Sequence, residues 1–242
     1  MEVAILLSPG VTAFEALGPY GVFRRVPGAE VHLVADRPGR MTTHGSKVAL
    51  LADSAMGDHP HPDVVVVPGG IGIRRLVEDR WTMAWITEAH ETSLMTTAVS
   101  TGSVLLAAAG VLEGDATTHW LATDLLEEQG AHAVTGRLVR SGKVLTAEGA
   151  PAAVEMALQV VSELVDPATA AQIGEEMEVD ELGPMDPLRP VEAETLVTLA
   201  GPDDLDPDPV YVLGGAPAPK KRRGRSAKGR IEILFAPTPA SA

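Results

Sequence analysis

The chain contains no cysteine among its 242 residues. This absence excludes disulfide bonds, zinc sites built on thiolates and a thiol nucleophile in this chain. Aromatic side chains are also scarce, at 3% of the residues, whereas 45% of the residues are hydrophobic. A chain of this length can bury a core, and that core must therefore consist mainly of Ala, Val, Leu and Ile.

Positive charge is in short supply over most of the chain. The net charge is −14 at pH 7, which argues against a general nucleic-acid-binding protein. The exception is KKRRGRSAKGR at residues 220–230, with seven basic side chains. This cluster allows weak contact with nucleic acid, but attraction to the acidic body of the same chain is the favoured interpretation.

The composition changes near residue 200. Residues 201–242 hold seven prolines and five glycines without sustained periodicity, so burial cannot offset the entropy of ordering them. We predict one domain over residues 1–200, followed by a mobile, basic tail over 201–242. The first ten residues lack a basic n-region, and their apolar run is too short for a signal peptide or membrane span. They predict a cytoplasmic protein that does not enter membranes.

Short apolar runs alternate with helical patterns through residues 1–165. This alternation predicts an α/β protein whose parallel sheet is covered on both faces. In such sheets, sites form beyond the carboxyl ends of the strands. The predicted strands are 2–7, 30–34, 64–67 and 94–99, with a hairpin at 138–140 and 144–146. The predicted helices are 13–25, 81–91, 101–109, 120–129 and 152–164.

Two predicted strand ends carry residues suited to chemistry. Gly69 and Gly70 follow four valines, and glycines there let backbone N–H groups approach an anionic group closely. A tight turn without function explains them equally well. Ser100 lies between a strand and a helix of small residues, as in a nucleophile elbow. It lacks the G-x-S-x-G spacing of hydrolases, and capping of the following helix is its simpler explanation.

Glu15 and His119 are the titratable candidates. Glu15 lies in the first predicted helix among Phe14, Ala16 and Leu17, which favours partial burial and a perturbed pKa. His119 precedes a helix and suits either a general base or a packed core residue.

Metals and cofactors are not supported by the motifs. The loop DHPHPD at 58–63 has metal-like ligand types, but its two prolines indicate an exposed turn, and no second ligand cluster is evident, so we reject a metal site. No Walker loop is present, and no G-x-G-x-x-G follows the first strand. We therefore predict no cofactor.

Four stretches in this order resemble the DJ/PfpI superfamily of the class I glutamine amidotransferase-like fold, in its isonitrile hydratase-like branch. They are VAILLSPGVTAFEALGPYGVFRR (3–25), DVVVVPGGIGIRR (63–75), VSTGSVLLAAAGVLEGDATTHW (99–120) and LTAEGAPAAVEMAL (145–158). The resemblance implies a flavodoxin-like three-layer sandwich with a mainly parallel central sheet, usually as a homodimer. It also implies a small-molecule substrate or ligand.

The resemblance assigns roles to several residues. Glu15 takes the position of the family's acid, hydrogen-bonded to the elbow residue, and His119 falls in a Thr-His-Trp motif of the branch. The oxyanion or substrate-binding N–H donors would come from the Pro-Gly-Gly turn and the elbow, at Gly69, Gly70, Ile71 and Thr101.

This chain departs from the family pattern at two places. Ser100 stands where the family has cysteine, and GAPAAVE at 149–155 replaces the usual Gly-x-Ser-Ala-Gly-Ile-Asp. An engineered Cys→Ser change would explain only the first departure, so the pair favours a naturally diverged relative.

Three functions remain open on this scaffold. The first is an isonitrile hydratase-like lyase that uses Ser100 and Glu15. The second is serine-dependent hydrolysis or acyl transfer by Ser100, and the third is a non-catalytic or regulatory small-molecule-binding protein.

Overall fold

A computed structural model describes residues 1–45 and 47–179. Eleven strands and seven α-helices alternate along this part of the chain. The strands are β1 (Glu2–Leu6), β2 (Glu30–Ala35), β3 (Gly39–Thr42), β4 (Ala49–Ala52), β5 (Ser54–Ala55), β6 (Val64–Val67), β7 (Met95–Val99), β8 (Asp115–Ala116), β9 (His132–Ala133), β10 (Leu138–Ser141) and β11 (Val144–Ala147). The helices are α1 (Ala13–Phe23), α2 (Ile73–Leu76), α3 (Arg80–Thr92), α4 (Gly102–Ala108), α5 (Thr123–Glu128), α6 (Ala150–Leu164) and α7 (Pro167–Glu176).

Seven strands form the central sheet in the order β10-β11-β7-β6-β1-β2-β5. All neighbours are parallel except β10, which pairs antiparallel with β11 through a Ser-Gly-Lys turn. The chain builds from β1 towards β2 and β5, then returns to place β6 on the other side of β1. The point between β1 and β6 is therefore the topological switch where an open α/β sheet forms its crevice.

Helices cover both faces of this sheet. Side chains of β1 alternate between two separate apolar clusters, with Val3 and Ile5 on one face and Ala4 and Leu6 on the other. The first cluster includes residues of α1, α6 and α7, and the second includes residues of α2, α3, α4 and α5. The predicted flavodoxin-like, three-layer architecture with a mainly parallel sheet is confirmed.

Most element predictions are confirmed to within about two residues. The predicted helix at 120–129 is split, because a 3-10 turn over Trp120–Ala122 precedes α5. Sequence reasoning missed the β3–β4 hairpin, in which every residue except Ala52 is half-buried or exposed. It also missed α7, although Asp166 marks its start by accepting a hydrogen bond from the Thr169 N–H at 2.9 Å.

The domain boundary at residue 200 and the tail over 201–242 lie outside the described residues. Within those that are described, no helix combines the length and the apolar character needed to span a bilayer.

Close packing of α4 under the sheet leads to a stability prediction. A Cβ atom on Gly102 would lie 2.0 Å from the carbonyl oxygen of Val67, a backbone atom fixed in β6. We expect Gly102→Ala to lower the free energy of unfolding by about 1–3 kcal/mol, as overpacking does, although alanine favours helix. Urea unfolding measures this change.

The matched control is Gly21→Ala within α1. A Cβ atom there would meet only side-chain atoms, at 3.4 Å from Met177 Cε and farther. We expect this variant to be as stable as the wild type or more stable, by up to about 1 kcal/mol. Equal stability of Gly102→Ala and wild type would contradict the packing argument.

Candidate functional site

Three loops meet beyond the carboxyl ends of β1, β6 and β7. The loop after β1 forms a bridge between Val11 and Gly70, and the Thr12 N–H donates to the Gly69 carbonyl at 3.0 Å. Ser100 joins them from the end of β7, where its N–H donates to the Ala147 carbonyl at 2.8 Å. The ends of β1, β6 and β7 therefore lie at one edge of the sheet.

Ser100 has a left-handed backbone conformation. Its φ is 57°, a region that residues other than glycine seldom occupy and that costs conformational energy. The Ser100 carbonyl accepts hydrogen bonds from Ser103 Oγ at 2.9 Å and from Thr118 Oγ1 at 3.0 Å. These bonds fix the turn between β7 and α4. Ser100 is only 4% exposed, and its side chain points towards Glu15 of α1.

Glu15 projects from the first turn of α1 into the same place. The residue is 5% exposed. Its Oε2 accepts the Gly69 N–H at 2.8 Å, and the hydroxyls of Ser100 and Thr12 lie near the carboxyl group and lower its pKa. Ser100 and Glu15 are therefore neighbours in this buried place, and Thr101 rather than Ser100 is the N-cap residue of α4.

Burial dominates the electrostatics of Glu15. Desolvation raises the pKa of its carboxyl group to about 7, against the lowering effect of the hydrogen bonds from Gly69, Ser100 and Thr12. Protonated and ionised forms therefore coexist near neutral pH, which is the condition for general acid and base chemistry by one group.

Glycine is the only residue type that fits at position 69, next to Glu15 and Thr101. A Cβ atom at this position would lie 2.6 Å from Thr101 Oγ1, 2.8 Å from the Thr101 nitrogen and 2.9 Å from Glu15 Oε2. The absence of a side chain thus lets the Glu15 carboxyl group and the Thr101 backbone approach the same turn.

Several of the predicted N–H donors are engaged within the protein. The Gly69 N–H bonds Glu15, the Gly70 N–H donates to Thr101 Oγ1 at 2.9 Å, and the Ile71 N–H donates to the Gly10 carbonyl at 3.2 Å. The Thr101 hydroxyl thus satisfies an amide that the sequence analysis assigned to a substrate. The fourth predicted donor, the Thr101 N–H, lies at the N-terminal end of α4. The Thr101 nitrogen and the Glu15 carboxyl group both border the position that a Cβ atom on Gly69 would take.

His119 takes a different place. Its Nδ1 accepts the Leu121 N–H at 3.2 Å, and its ring stacks on Trp120 with centroids 5.7 Å apart. Burial lowers the pKa of this imidazole, while the negative charge of Glu148 partly opposes the shift. His119 is therefore neutral at pH 7, and Thr118 rather than His119 makes the described contact with Ser100.

A small hollow of about 130 Å³ adjoins this segment. Its walls carry one acidic and four hydroxyl side chains besides three apolar ones. It is lined by Thr117, Thr118, Trp120, Thr123, Ala133, Val134, Thr135 and Glu148.

Three potential metal ligands come together elsewhere in the described part of the chain. Glu2, His32 and His59 each place a ligand atom within 4.8 Å of the other two. His59 belongs to the loop at 58–63 for which the sequence analysis rejected a metal site because no second cluster was evident. Sequence reasoning missed Glu2 and His32 because they lie 57 and 27 residues before His59 in the chain. Only the folding of the sheet brings the three residues together.

The comparisons with known proteins agree with this architecture. A sequence model of the DJ-1/PfpI family matches residues 1–163, and the chain belongs to that family. It is 36% identical over 198 residues to isonitrile hydratase from Pseudomonas putida, a match that covers 81% of this chain and 86% of the relative.

The chain also matches a transcriptional regulator and a solved structure. The chain is 28% identical to the HTH-type transcriptional regulator CdhR from Pseudomonas aeruginosa, over 63% of this chain and 45% of that protein. Among solved structures, a THiJ/PfpI family protein from Pseudomonas syringae superimposes with a TM-score of 0.71 at 29% identity, over 79% of this chain and 78% of that one.

Sequence reasoning missed three hydroxyl groups of the site. The Thr12 hydroxyl lies near Glu15, and the Thr101 hydroxyl accepts the Gly70 N–H. The Thr118 hydroxyl donates to the Ser100 carbonyl. Thr12 and Thr101 each stand directly before a helix, a position that indicated only helix capping. The pairing of Thr118 with Ser100 spans 18 residues and has no local signal.

The pKa of Glu15 predicts a pH dependence of stability. In the unfolded chain this carboxyl group ionises near 4.5, but in the folded protein near 7, so the folded state binds more protons between these values and its stability falls as pH rises through them. We expect the wild type to lose about 2–3 kcal/mol more unfolding free energy than Glu15→Gln between pH 5 and pH 8. Urea unfolding at both pH values measures the difference.

Glu88→Gln on the exposed side of α3 is the control, because it removes one carboxyl group without altering the buried site. Equal pH dependence of wild type and Glu15→Gln would show that the Glu15 carboxyl group ionises without the burial penalty.

Proposed function

We propose that this protein is a lyase that adds water to a small isonitrile and forms an N-substituted formamide. The observation that carries the proposal is the buried Glu15 carboxyl group, which lies beside Ser100 and has a pKa of about 7. The 36% identity to isonitrile hydratase, over most of both chains, supports the same reaction.

The geometry suits a stepwise addition in which Glu15 carries the proton. Protonated Glu15 gives its proton to the lone pair of the terminal carbon of R–N≡C, which makes that carbon electrophilic. An oxygen, from water held by Ser100 or from Ser100 itself, then bonds to the carbon, and its proton passes to Glu15. With water, the product R–N=CH–OH rearranges to the formamide R–NH–CHO. The Ser100 adduct R–N=CH–O–Ser instead takes up its one water in a later step, in which the bond to the serine oxygen breaks and the same formamide and the free hydroxyl are released.

The engaged amides favour hydration over acyl transfer. Acyl transfer builds an oxyanion that needs several free N–H donors, but Gly69, Gly70 and Ile71 already use theirs within the protein. Addition of water to an isonitrile develops positive charge before the oxygen adds, so the neighbouring carboxylate formed at Glu15 stabilises it. The Thr101 N–H remains to orient the formamide oxygen.

A homodimer is part of this proposal. Phe14 and Leu17 flank Glu15 on α1, and their exposed fractions are 57% and 40%. Covering these side chains with a second copy would remove apolar surface from water next to the site.

The direct test is turnover of a panel of alkyl and aryl isonitriles, followed by NMR detection of the formyl proton. We expect formamide from the wild type and a kcat at least about 100-fold lower in Glu15→Gln, because general acid–base catalysis contributes at least that factor. The wild-type rate should fall as pH rises above about 7, where Glu15 loses its proton.

Glu88→Gln should retain wild-type turnover, since it changes an exposed carboxyl group on α3. Ser100→Cys separates two outcomes, because a thiol is the stronger nucleophile. Turnover by Ser100→Cys alone would show that the native protein has lost the hydratase reaction, and absence of formamide with both would overturn the proposal.

Acyl transfer by Ser100 is the second candidate, favoured by the left-handed turn that presents this hydroxyl to a carboxyl group. It predicts that a fluorophosphonate labels Ser100, that mass spectrometry finds the adduct, and that Glu15→Gln slows labelling. An unlabelled Ser100 would exclude this candidate.

A further inference from the structure

A second constellation of titratable side chains lies away from the Ser100 site. Glu2 is the first residue of β1, His32 lies within β2, and His59 follows the short 3-10 turn after β5. In the sheet register Glu2 pairs with Glu30 and Ala4 with His32, so Glu2 and His32 point to the same face. This group therefore sits at the amino half of the sheet, whereas Ser100 lies beyond the carboxyl ends.

The three side chains are arranged as a ligand set. The Nδ1 atom of His59 lies 2.6 Å from Glu2 Oε1, and the His32 and His59 rings stack with centroids 3.9 Å apart and planes inclined by 26°. One ligand atom from each residue lies within 4.8 Å of the others. Small side-chain rotations bring such atoms to the distances of about 2.0–2.2 Å from an ion that zinc requires.

His32 has a carboxylate behind it. Asp53 Oδ1 lies 3.7 Å from His32 Nδ1, and its other oxygen accepts the Leu33 N–H at 3.1 Å. Ser54 Oγ also donates to Oδ1 at 2.9 Å. In many carboxylate–histidine–metal arrangements, a carboxylate on one side of an imidazole orients the ring. With Asp53 on the Nδ1 side, Nε2 is the His32 nitrogen available to an ion.

The backbone around His59 is also fixed. Its carbonyl accepts the indole N–H of Trp85 at 3.0 Å, and its N–H donates to the Met56 carbonyl at 3.0 Å. Trp85 is buried in the apolar cluster under α3. The loop is therefore anchored to the core instead of being a free exposed turn, which lowers the entropic cost of holding His59 in place.

Charge and access suit a cation. Glu2 and Asp53 bring negative charge, and the ammonium group of Met1 is paired with Asp63 at 4.0 Å. The side chains of His59, His32 and Glu2 are 13%, 26% and 38% exposed, so an ion and a water ligand can reach them.

We propose that Glu2, His32 and His59 form a binding site for a divalent transition-metal ion of the zinc type. Two imidazole nitrogens and one carboxylate oxygen match the borderline character of Zn²⁺ and leave a fourth position for water. The site links β1, β2 and the loop that leads into β6, so the bound ion stabilises the fold.

The test uses the full chain with its purification tag removed and its metals stripped by a chelator. Zinc is titrated against a chromogenic indicator, and thermal unfolding is followed with and without zinc. We expect one zinc per chain and a higher Tm with zinc, because an ion that binds only the folded state stabilises it. His32→Gln and His59→Gln should each weaken zinc binding by at least about tenfold, and Asp53→Asn by about 10- to 100-fold.

His61→Gln is the matched control, since His61 is an exposed histidine of the same loop and lies outside the cluster. It should bind zinc as the wild type does. Glu2→Gln keeps the shape of the ligand while removing its charge, and it serves if a histidine variant fails to fold.

Two results would overturn the proposal. One is wild-type protein that binds no zinc. The other is zinc binding that His32→Gln, His59→Gln and Glu2→Gln leave unchanged, which would assign the ion to another place and reduce this cluster to a hydrogen-bonded pair with a stacked ring.

Discussion

The burial of one carboxyl group, that of Glu15, is the constraint on which the site depends. The Gly69 N–H from the β6 turn and the Ser100 hydroxyl from the β7 turn approach it, and Thr12 lies just before its own helix. The first two come from different strands, so this meeting requires the strand order β7-β6-β1. The same burial raises the pKa of the group to about 7, so folding at neutral pH is less favourable than it would be with an exposed carboxyl group.

The backbone around Glu15 shows how closely the three loops are matched. Gly69 has no space for a Cβ atom, and Ser100 is held at a positive φ by hydrogen bonds to its N–H and its carbonyl. The hydroxyls of Thr101 and Thr118 complete these contacts. The backbone N–H and carbonyl of Ser100 are therefore both hydrogen-bonded. Among the described residues, no buried side-chain N or O atom lacks a hydrogen-bond partner.

The sheet separates two kinds of chemistry. The carboxyl ends of β1, β6 and β7 gather hydroxyls, amides and one carboxyl group of raised pKa. The amino half, where Glu2, His32 and His59 meet, gathers nitrogen and oxygen ligands suited to an ion. The first arrangement follows the general rule for crevices in open α/β sheets. The second follows from no such rule.

The three-layer architecture and a crevice at the carboxyl ends of the strands could be predicted from the sequence. The all-valine β6, the apolar β1 and the small residues of α4 indicate that these elements are buried on all sides, and the family pattern places Glu15 in the first helix and Ser100 at a strand end. Only the tertiary structure decided that the hydroxyl of Thr101 occupies the Gly70 amide, that Thr118 rather than His119 contacts Ser100, and that His59 meets Glu2. Periodicity records which side of an element is buried, whereas pairings between residues far apart in the chain depend on how the elements pack.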